Sequence, residues 1–294
     1  MAASERIEHA LIDALSHATG GQNPANGCPP KLAQALRYAI FPGGARIRPR
    51  LALAVAYACG DDQPKLADAA AASIEIIHCA SLVHDDLPCF DDADQRRGKP
   101  SVHRAYGEPI AVLAGDAMIV LAFENLARHA AQQPERLVPL VRNLGIAVGG
   151  PAGICAGQAW ESEPVAVLED YHRAKTGSLF TAATTMGALA AGADPEPWRM
   201  LGDSLGEAYQ VADDIKDLVA DEALLGKPIG QDQAHNRPSA ADELGLEGAL
   251  QRLKHLVGRA AAAIPECPGR SQLEAMVLNE AKRLVPKKHA AVAA

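Results

Sequence analysis

The sequence predicts an all-α protein, and two observations support this prediction. Apolar residues recur at intervals of three and four residues in segment after segment, as in "LADAAAASIEIIHCASLVHDD" and "LVPLVRNLGIAVG", which places them on one face of a helix. Alternation of Val, Ile and Thr of the kind found in strands is nearly absent. Several segments are apolar or small on most faces, which indicates helices buried inside a large bundle.

Length, composition and charge narrow the class of protein. The chain has 294 residues, of which 48% are hydrophobic, and no Ser/Gly/Pro-rich linker or block of charge divides it. A chain of this kind can bury a large core, so we expect a single domain over residues 1–294. The formal net charge of -8 disfavours nucleic acid as a partner.

The first segment, the longest apolar stretch and the spacing of the cysteines indicate the cellular compartment of the protein. The first segment carries Glu5, Arg6 and Glu8 among its apolar positions and so lacks the uninterrupted apolar run of a signal peptide. The longest weakly polar stretch, "GSLFTAATTMGALAAGA", falls short of the roughly 18 to 20 apolar residues that span a bilayer. The six cysteines show neither a CxxC pair nor zinc-site spacing, which indicates reduced thiols. We therefore expect a cytoplasmic protein with no transmembrane segment.

Clusters of Gly, Pro and Asn predict four breaks between helices, at 20–30, 41–50, 91–101 and 224–239. Three of these four predicted loops carry arginine or lysine. Ser239, with Asp242 three residues on, resembles a capping box that opens another helix. Only the tail after about residue 286, "KKHAAVAA", is expected to be disordered.

Two acidic clusters are candidates for metal binding. The first, in "SLVHDDLPCFDDADQRRGKP", places Asp85 and Asp86 at the end of an apolar helix and returns Asp91 after four intervening residues. The second, in "YQVADDIKDLVADE", places Asp213 and Asp217 four residues apart, on one face of a helix. Paired carboxylates repel each other unless a cation lies between them, and Mg²⁺ prefers such oxygen ligands together with substrate phosphates.

The alternative interpretation of each cluster is a solvated acidic helix face, which is common on protein surfaces. Both clusters, however, end largely apolar helices, and basic residues next to Gly or Pro supply the complementary charge for a phosphate. These basic residues are Arg48, Arg96, Arg97, Lys175 and Lys227. Neither cluster has the Gly and closing Glu of an EF-hand, which excludes that calcium motif.

These motifs together resemble a known family. "GGARIRP", "DDLPCFD" followed by "RRG", "KTGSLF", "GEAYQVADDIKD" and "GKPIGQD" occur in the order and spacing of the trans-isoprenyl diphosphate synthases, or polyprenyl synthetases. The loops are most similar to bacterial geranylgeranyl diphosphate synthases of carotenoid and bacteriochlorophyll pathways. The resemblance implies an all-α, single-domain bundle of ten or more helices around a central cavity, usually as a homodimer.

The reaction that this resemblance implies is the Mg²⁺-dependent, head-to-tail condensation of isopentenyl diphosphate with an allylic diphosphate, with farnesyl diphosphate giving the C20 product. Farnesyl diphosphate synthase is an alternative of the same class. A weakly active or non-catalytic regulatory partner subunit is an alternative of another class, and a terpene cyclase fits the second acidic cluster less well.

The resemblance also implies roles for individual residues. Asp85, Asp91 and Asp213 are expected to bind three Mg²⁺ ions that hold the allylic diphosphate, with Asp86 and Asp217 supporting the metal site and Asp214 supporting the substrate. The residues expected to contact the allylic diphosphate are Arg96, Lys175 and Lys227, and those expected to bind isopentenyl diphosphate are Arg48, Arg97 and His78. The Lys175 backbone, Thr176 and Gln210 would stabilise the allylic cation with their dipoles. Gln158 and Glu161 occupy the place of a Gln and an Asp in the family.

Two positions depart from the family pattern. Ala45 stands where an isopentenyl-binding lysine is expected, and Asn236 stands where a second lysine is expected. Our hypothesis at this point is that the neighbouring Arg46 and Arg237 partly replace these charges.

Chain length is expected to depend on the helix before Asp85. Ala80 and Ser81 lie five and four residues before it, and Ile77 lies about one turn deeper. The small side chains of Ala80 and Ser81 would leave room for a C20 chain.

Overall fold

Helices make up most of the described chain, as the sequence predicts. The structure, a computed structural model, describes residues 2–21, 27–164, 167–219 and 240–284. The predicted loop at 224–239, with Lys227, Asn236 and Arg237, lies outside these residues, as do Ser239 and the tail after about 286. The single-domain organisation over the whole chain stays a prediction.

The helices follow one another with short connections. They are α1 (Ala3–Ala18), α2 (Pro30–Ile40), α3 (Ile47–Ala58), α4 (Pro64–Asp85), α5 (Val102–Tyr106), α6 (Glu108–His129), α7 (Pro134–Val148), α8 (Ile154–Trp160), α9 (Leu168–His172), α10 (Ser178–Ala190), α11 (Arg199–Val219), α12 (Ala240–Ala262) and α13 (Arg270–Leu284). A π-helical turn, Arg173–Gly177, joins α9 to α10, and a short 3₁₀ helix, Glu196–Trp198, precedes α11. The all-α prediction is confirmed.

Helix α4 lies at the centre of the fold. Its 22 residues span about 33 Å at 1.5 Å per residue, and it packs against α3, α6 and α10. The alanines of its first half, Ala69–Ala72, are almost completely buried. Small side chains allow neighbouring helix backbones to approach closely, so the alanine-rich composition follows from the number of helices around α4.

Helices approach closely at two glycines. A Cβ atom on Gly187 of α10 would lie 2.4 Å from the carbonyl oxygen of Ala52 in α3. Because that neighbour is backbone and cannot move aside, glycine is needed at 187 for the helices to approach this closely. A Cβ atom on Gly115 of α6 would lie 2.0 Å from Nε2 of His84, the end of a side chain in the last turn of α4 that can change its rotamer.

A second apolar cluster fixes α11 against α12. Ala208, Val211, Ala212 and Ile215 of α11 are buried, and their spacing of three and four residues places them on one face. Leucines of α12, including the fully buried Leu256, pack against this face. The opposite face of α11 is thereby directed at the rest of the bundle, with which α10 and the π-helical turn make contact.

Two of the predicted loops contain regular structure. Residues 91–101 include a hairpin of β1 (Gln95–Arg96) and β2 (Lys99–Pro100). Its two-residue turn has Arg97 at φ 55° and Gly98 at φ 74°, the left-handed conformation that two-residue hairpins favour. The break predicted at 41–50 is shorter, because α3 already begins at Ile47. Arg48 therefore lies in the first turn of a helix and not in a loop.

Two helices have the length and apolarity to cross a membrane, α4 and α6. In α4, 78% of the most apolar window is buried inside the protein, so this helix has the character of a core helix. In α6 the buried share is 44%. By itself this is weak evidence for a membrane span, but it shows that α6 leaves an apolar surface uncovered.

Candidate active site

A large cavity opens between α4, α8, α10 and α11. Its volume is about 700 Å³, within the range of roughly 300 to 1,000 Å³ typical of small-molecule sites. Its polar wall is formed by Arg48, His78, Ser81, His84, Asp85, Gln158, Lys175, Thr176, Tyr209 and Asp213. Its apolar wall is formed by Ile77, Ala80, Leu82, Phe90, Ile119, Val148, Ile154 and Leu179. The cavity can therefore hold a molecule with a charged group and an apolar body.

The acidic part of the wall begins where α4 ends at Asp85. The following loop folds back, and the backbone N–H of Asp91 donates to the backbone carbonyl of Asp85 over 3.0 Å. Burial raises the pKa of the Asp85 carboxyl, and the nearby charge of Asp91 raises it further, while Lys175 opposes this. The Oδ1 atom of Asp85 is buried without a hydrogen bond. This carboxylate is therefore available for a further positive partner.

Lys175 joins the acidic wall to a second carboxylate. Its Nζ atom lies 3.7 Å from Oδ1 of Asp85 and donates to Oε1 of Glu161. The Tyr171 hydroxyl donates to the same Glu161 oxygen over 2.6 Å, and Gln158 Nε2 lies 3.4 Å from Oε2. Glu161, whose role the sequence left open, thus contacts the lysine that is expected to bind diphosphate.

The structure does not support the metal role expected of Asp86. This side chain is only 2% exposed, and its Oδ1 accepts from Nε of Arg96 over 2.9 Å and also from Nη2. Burial raises the pKa of Asp86, and the guanidinium of Arg96 opposes this. Asp86 therefore holds Arg96 beside the cavity, and Arg96 is not among the residues that line it.

The π-helical turn presents Thr176 to α11. The Thr176 hydroxyl donates to Oε1 of Gln210 over 2.7 Å, and Nε2 of Gln210 donates to Oδ1 of Asp214 over 2.9 Å. Asp214 is 3% exposed and does not line the cavity. Asp214 therefore orients Gln210, whose amide in turn orients the Thr176 hydroxyl, and its supporting role at the substrate stays a prediction.

The second acidic cluster reaches the cavity through Asp213. Its side chain is 56% exposed and accepts from Lys216 Nζ over 2.8 Å. Asp217 lies four residues further along α11, and its side chain is outside the described part of the structure. The structure thus brings Asp85 and Asp213, which are far apart in the sequence, to the wall of one cavity.

The basic part of the site consists of Arg48, Arg97 and His78. The Arg48 guanidinium lies 4.6 Å from the centroid of the Phe180 ring, and its Nε is buried without a hydrogen bond. Burial lowers the pKa of Arg48, and Arg97 lowers it further by repulsion. Burial also lowers the pKa of His78 well below its ordinary value, with the arginines adding to the effect. An anion would relieve this repulsion, and the first turn of α3 adds its own attraction for anions.

Arg46 is held by hydrogen bonds inside the protein. It is 8% exposed, and its guanidinium donates to Glu75 over 2.7 Å, to Glu8 over 2.9 Å and to the carbonyl oxygen of Ile40 over 2.8 Å. All three guanidinium nitrogens are thus engaged, and Arg46 joins α1, α2 and α4 at the start of α3. That Arg46 replaces the lysine missing at Ala45 stays a prediction.

Arg97 lies against the glycine next to the position of the missing lysine. A Cβ atom on Gly44, next to Ala45, would lie 3.0 Å from the guanidinium carbon of Arg97. Its left-handed backbone directs the side chain across this glycine. Within the described ranges, Arg97 makes no ion pair, so its charge remains available to a ligand.

The carboxylates of the cavity provide part of a magnesium site. Among the residues that the structure describes, no three His, Cys, Asp or Glu side chains are grouped as a complete metal site. Mg²⁺ is commonly held by one or two carboxylates, with water and substrate phosphates as the other ligands. The unbonded oxygen of Asp85, together with the neighbouring Asp91, fits such a partial site. The donor set is therefore compatible with ions that bind together with a diphosphate.

The residues expected to set chain length line the cavity but differ in their exposure. Ser81, Ala80 and Ile77 all lie against it. Ser81 is partly exposed, whereas Ala80 and Ile77 are both 0% exposed. All three therefore belong to the cavity wall, and Ser81 is the most accessible of them from the cavity.

Sequence patterns alone missed several residues of the cavity wall. Tyr209, next to Gln210, and Leu179, after the π-helical turn, could have been found from their neighbours. Ile119, Val148 and Ile154 come from α6, α7 and α8, and they carry no signal that separates them from ordinary core residues. Only the three-dimensional packing of these helices identifies them.

Comparison with known proteins identifies the same family that the sequence motifs resemble. A profile of the polyprenyl synthetase family matches residues 29–267. The chain is 58% identical over 291 residues to a geranylgeranyl diphosphate synthase of Cereibacter sphaeroides, covering 99% of both chains. It is 53% identical over 285 residues to a geranylgeranyl diphosphate synthase of Rhodobacter capsulatus, covering 97% of both.

A solved structure extends the likeness to the fold. The geranyltransferase from Helicobacter pylori, complexed with magnesium and isoprenyl diphosphate, has a TM-score of 0.77 at 31% identity, over 94% of this chain and 96% of that one. The chain therefore belongs to the polyprenyl synthetase family, whose members are prenyltransferases. The resemblance stated from the sequence is confirmed.

The role assigned to Arg46 can be tested by Arg46→Met. The variant leaves Glu75 buried without its charge partner, so we expect a loss of about 3–5 kcal/mol in the free energy of unfolding. Urea unfolding followed by circular dichroism measures it. Adding Glu75→Met should recover most of the loss, since an apolar pair can replace a buried ion pair. Unchanged stability with a raised KM for isopentenyl diphosphate would instead support the phosphate-binding hypothesis.

Proposed function

We propose that this chain is a geranylgeranyl diphosphate synthase, which condenses farnesyl diphosphate with isopentenyl diphosphate in the presence of Mg²⁺. One observation carries the proposal. Asp85, Asp213, Lys175 and Arg48 line one cavity of about 700 Å³ together with a set of apolar side chains that includes Ile77, Leu82, Phe90, Ile119, Val148, Ile154 and Leu179. Such a cavity suits a molecule with a diphosphate at one end and a hydrocarbon chain at the other.

Magnesium fits the acidic residues of this site. Asp85, Asp91 and Asp213 would hold the ions, with support from Asp217, and three ions are the number that the family resemblance implies. When bound with diphosphate, Mg²⁺ neutralises its charge and makes it a better leaving group. Lys175, placed by Glu161 and Asp85, adds a cation that can contact the same diphosphate.

Isopentenyl diphosphate is assigned to the basic part of the site. Arg97 lies close enough to lower the pKa of Arg48, and both arginines lower the pKa of His78, to which burial contributes most. Repulsion among these groups is relieved when a diphosphate accepts their hydrogen bonds. A neutral His78 is a hydrogen-bond donor through one ring nitrogen and adds no further charge.

The π-helical turn would act when the allylic carbon–oxygen bond breaks and positive charge develops on the chain. The Thr176 hydroxyl oxygen and the Gln210 amide are fixed by their mutual hydrogen bond and by Asp214. Dipoles that are already oriented stabilise a developing charge without further rearrangement. The apolar wall excludes water, which would otherwise capture the cation.

Proton removal completes the condensation. The double bond of isopentenyl diphosphate attacks the allylic carbon, a new carbon–carbon bond forms, and a proton must then leave the neighbouring carbon. The departed diphosphate can accept this proton. No carboxylate, histidine or lysine of the chain is therefore required as the base, and the charged residues are assigned to binding.

A homodimer would explain the apolar surface of α6. Val112, Leu113 and Val120 are 40%, 53% and 66% exposed on this helix, and Val138 and Ile146 are 70% and 48% exposed on the neighbouring α7. Less than half of the apolar window of α6 is buried. A face of this kind is typical of an interface between subunits, and a second copy of the chain is the occupant we propose.

The cytoplasm is the compartment we propose. All six cysteines are free thiols, including Cys89 and Cys155, which are exposed. Exposed thiols without disulfide partners are typical of proteins in a reducing compartment.

The metal-binding role of the two acidic clusters can be tested by Asp85→Asn and Asp213→Asn. Each change removes a charge from the proposed magnesium site, so we expect kcat to fall roughly 100- to 1,000-fold, as when one transition-state contact is lost. Prenyl transfer is measured with Mg²⁺, isopentenyl diphosphate and farnesyl diphosphate. Asp94→Asn is the matched control, because this carboxylate is 79% exposed and pairs with Arg104. A near-normal kcat in either site variant would exclude a shared metal site.

Product length can be tested by adding rings at Ala80 and Ser81. Ser81→Phe places a ring in the cavity, so we expect the main product to shorten from C20 to C15. Ala80→Tyr should give the same shift, with some loss of stability of about 1–3 kcal/mol because its position is buried. Ala262→Tyr at the exposed end of α12 is the control. Chromatography of the products gives their length. A wild-type product of C15 would show a farnesyl diphosphate synthase instead.

The proposed dimer can be tested by light scattering after size-exclusion chromatography. The wild-type protein should have twice the chain mass of 30.8 kDa. Val120→Asp introduces a charge into the apolar face of α6, so we expect it to produce monomers. Met200→Asp, at a side chain 51% exposed on α11, is the control and should remain dimeric. Monomeric wild-type protein that binds lipid vesicles through α6 would contradict the dimer and indicate a membrane contact.

A further inference from the structure

The π-helical turn Arg173–Gly177 needs outside support. In a π-helix the hydrogen bonds run over five residues, so the backbone is wider and less favourable than an α-helix. Two hydroxyl groups of α10 contribute locally: Ser178 donates to the carbonyl oxygen of Ala174 over 2.7 Å, and Thr181 donates to that of Gly177 over 3.1 Å. These bonds satisfy carbonyl groups in the turn, but they do not set its position relative to α8 and α11.

Two glycines from different helices contact the backbone of this turn. A Cβ atom on Gly157 of α8 would lie 2.3 Å from the backbone nitrogen of Lys175 and 2.5 Å from its Cα. A Cβ atom on Gly206 of α11 would lie 2.6 Å from Cα of Gly177. Such distances are far inside van der Waals contact, and a backbone cannot swing aside as a side chain can. Both positions therefore exclude any side chain while the turn keeps its place.

Each glycine is followed, four residues later, by a side chain that bonds to the same turn. Gly157 precedes Glu161, which accepts from Nζ of Lys175. Gly206 precedes Gln210, which accepts from the Thr176 hydroxyl over 2.7 Å. Residues four apart lie on one helix face, so a single face of each helix contacts the turn through a glycine and a polar side chain.

We propose that Gly157 and Gly206, here called the glycine clamp, are positioning residues for Lys175 and Thr176. The inference rests on the proposed function, because its catalytic consequence is the placement of these two groups at the allylic diphosphate. The clamp sets how closely α8 and α11 approach the turn, and thereby the reach of Glu161 to Lys175 and of Gln210 to Thr176. Arg48 and Arg97 lie on other elements, so binding of isopentenyl diphosphate does not depend on the clamp.

Gly157→Ala and Gly206→Ala are the test variants, and Gly145→Ala and Gly258→Ala are matched controls. A Cβ atom at either control position meets nothing within 4 Å, and alanine normally favours a helix over glycine. With Mg²⁺, isopentenyl diphosphate and farnesyl diphosphate, each clamp variant should lower kcat at least tenfold, while the KM for isopentenyl diphosphate changes less than twofold. The controls should match the wild-type protein in both constants.

A coupling measurement separates positioning from general damage. If Gly206 acts through Thr176, Gly206→Ala should reduce kcat much less in a Thr176→Val background than in the wild-type background. Equal reductions in both backgrounds, or a clamp variant that folds with wild-type kcat, would overturn the proposal. So would a rise in KM for isopentenyl diphosphate with unchanged kcat.

Amide hydrogen exchange provides a test that needs neither activity nor the variants. In the wild-type protein, the amides of residues 173–178 should exchange as slowly as those of α10, because the clamp holds the turn against two helices. Exchange as fast as that of an exposed loop would overturn the clamp. If the wild-type protein transfers no prenyl group, the proposed function fails, and the exchange rates alone then decide whether the clamp exists.

Discussion

The repulsion among the carboxylates at the end of α4 is the constraint on which the rest of the site depends. Asp85 and Asp86 lie at the C-terminal end of a long helix, where the helix dipole already disfavours negative charge. Asp91 adds a third charge next to them. Each buried carboxylate therefore needs a cation from elsewhere in the chain, and Lys175 and Arg96 supply these from the π-helical turn and from the hairpin. The acidic cluster thus determines that the π-helical turn and the hairpin pack next to the end of α4.

Close packing of helices makes these meetings possible. Helices approach each other closely at small residues, as Gly187 of α10 does at Ala52 of α3. The same small residues remove side-chain volume from the centre of the bundle, which leaves the cavity. An alanine- and glycine-rich composition therefore serves both the packing and the space for the ligand.

Sequence patterns predicted the class of fold and identified the motifs of the site. Helical periodicity and ordered motifs can both be recognised within short stretches of the sequence. They assigned Asp85, Asp213, Lys175, Arg48 and Thr176 to one site, and the structure brings all five to one cavity. The buried contacts of Asp86, Asp214 and Arg46 were not predicted, because a motif shows that a charge is present and not which way it points. The burial of these three residues, and hence their structural partners, follows from packing between helices that are distant in sequence.

The network around Arg46 connects the beginning of the chain to the start of α3. Glu8 of α1 accepts one of the three hydrogen bonds that hold the Arg46 guanidinium, two residues before Arg48. The first helix lies far in sequence from every acidic residue of the cavity, yet it helps to fix the helix turn that carries Arg48. A shortened chain that begins at α2 would thus retain all the motifs of the family and still lack one of the supports of that turn.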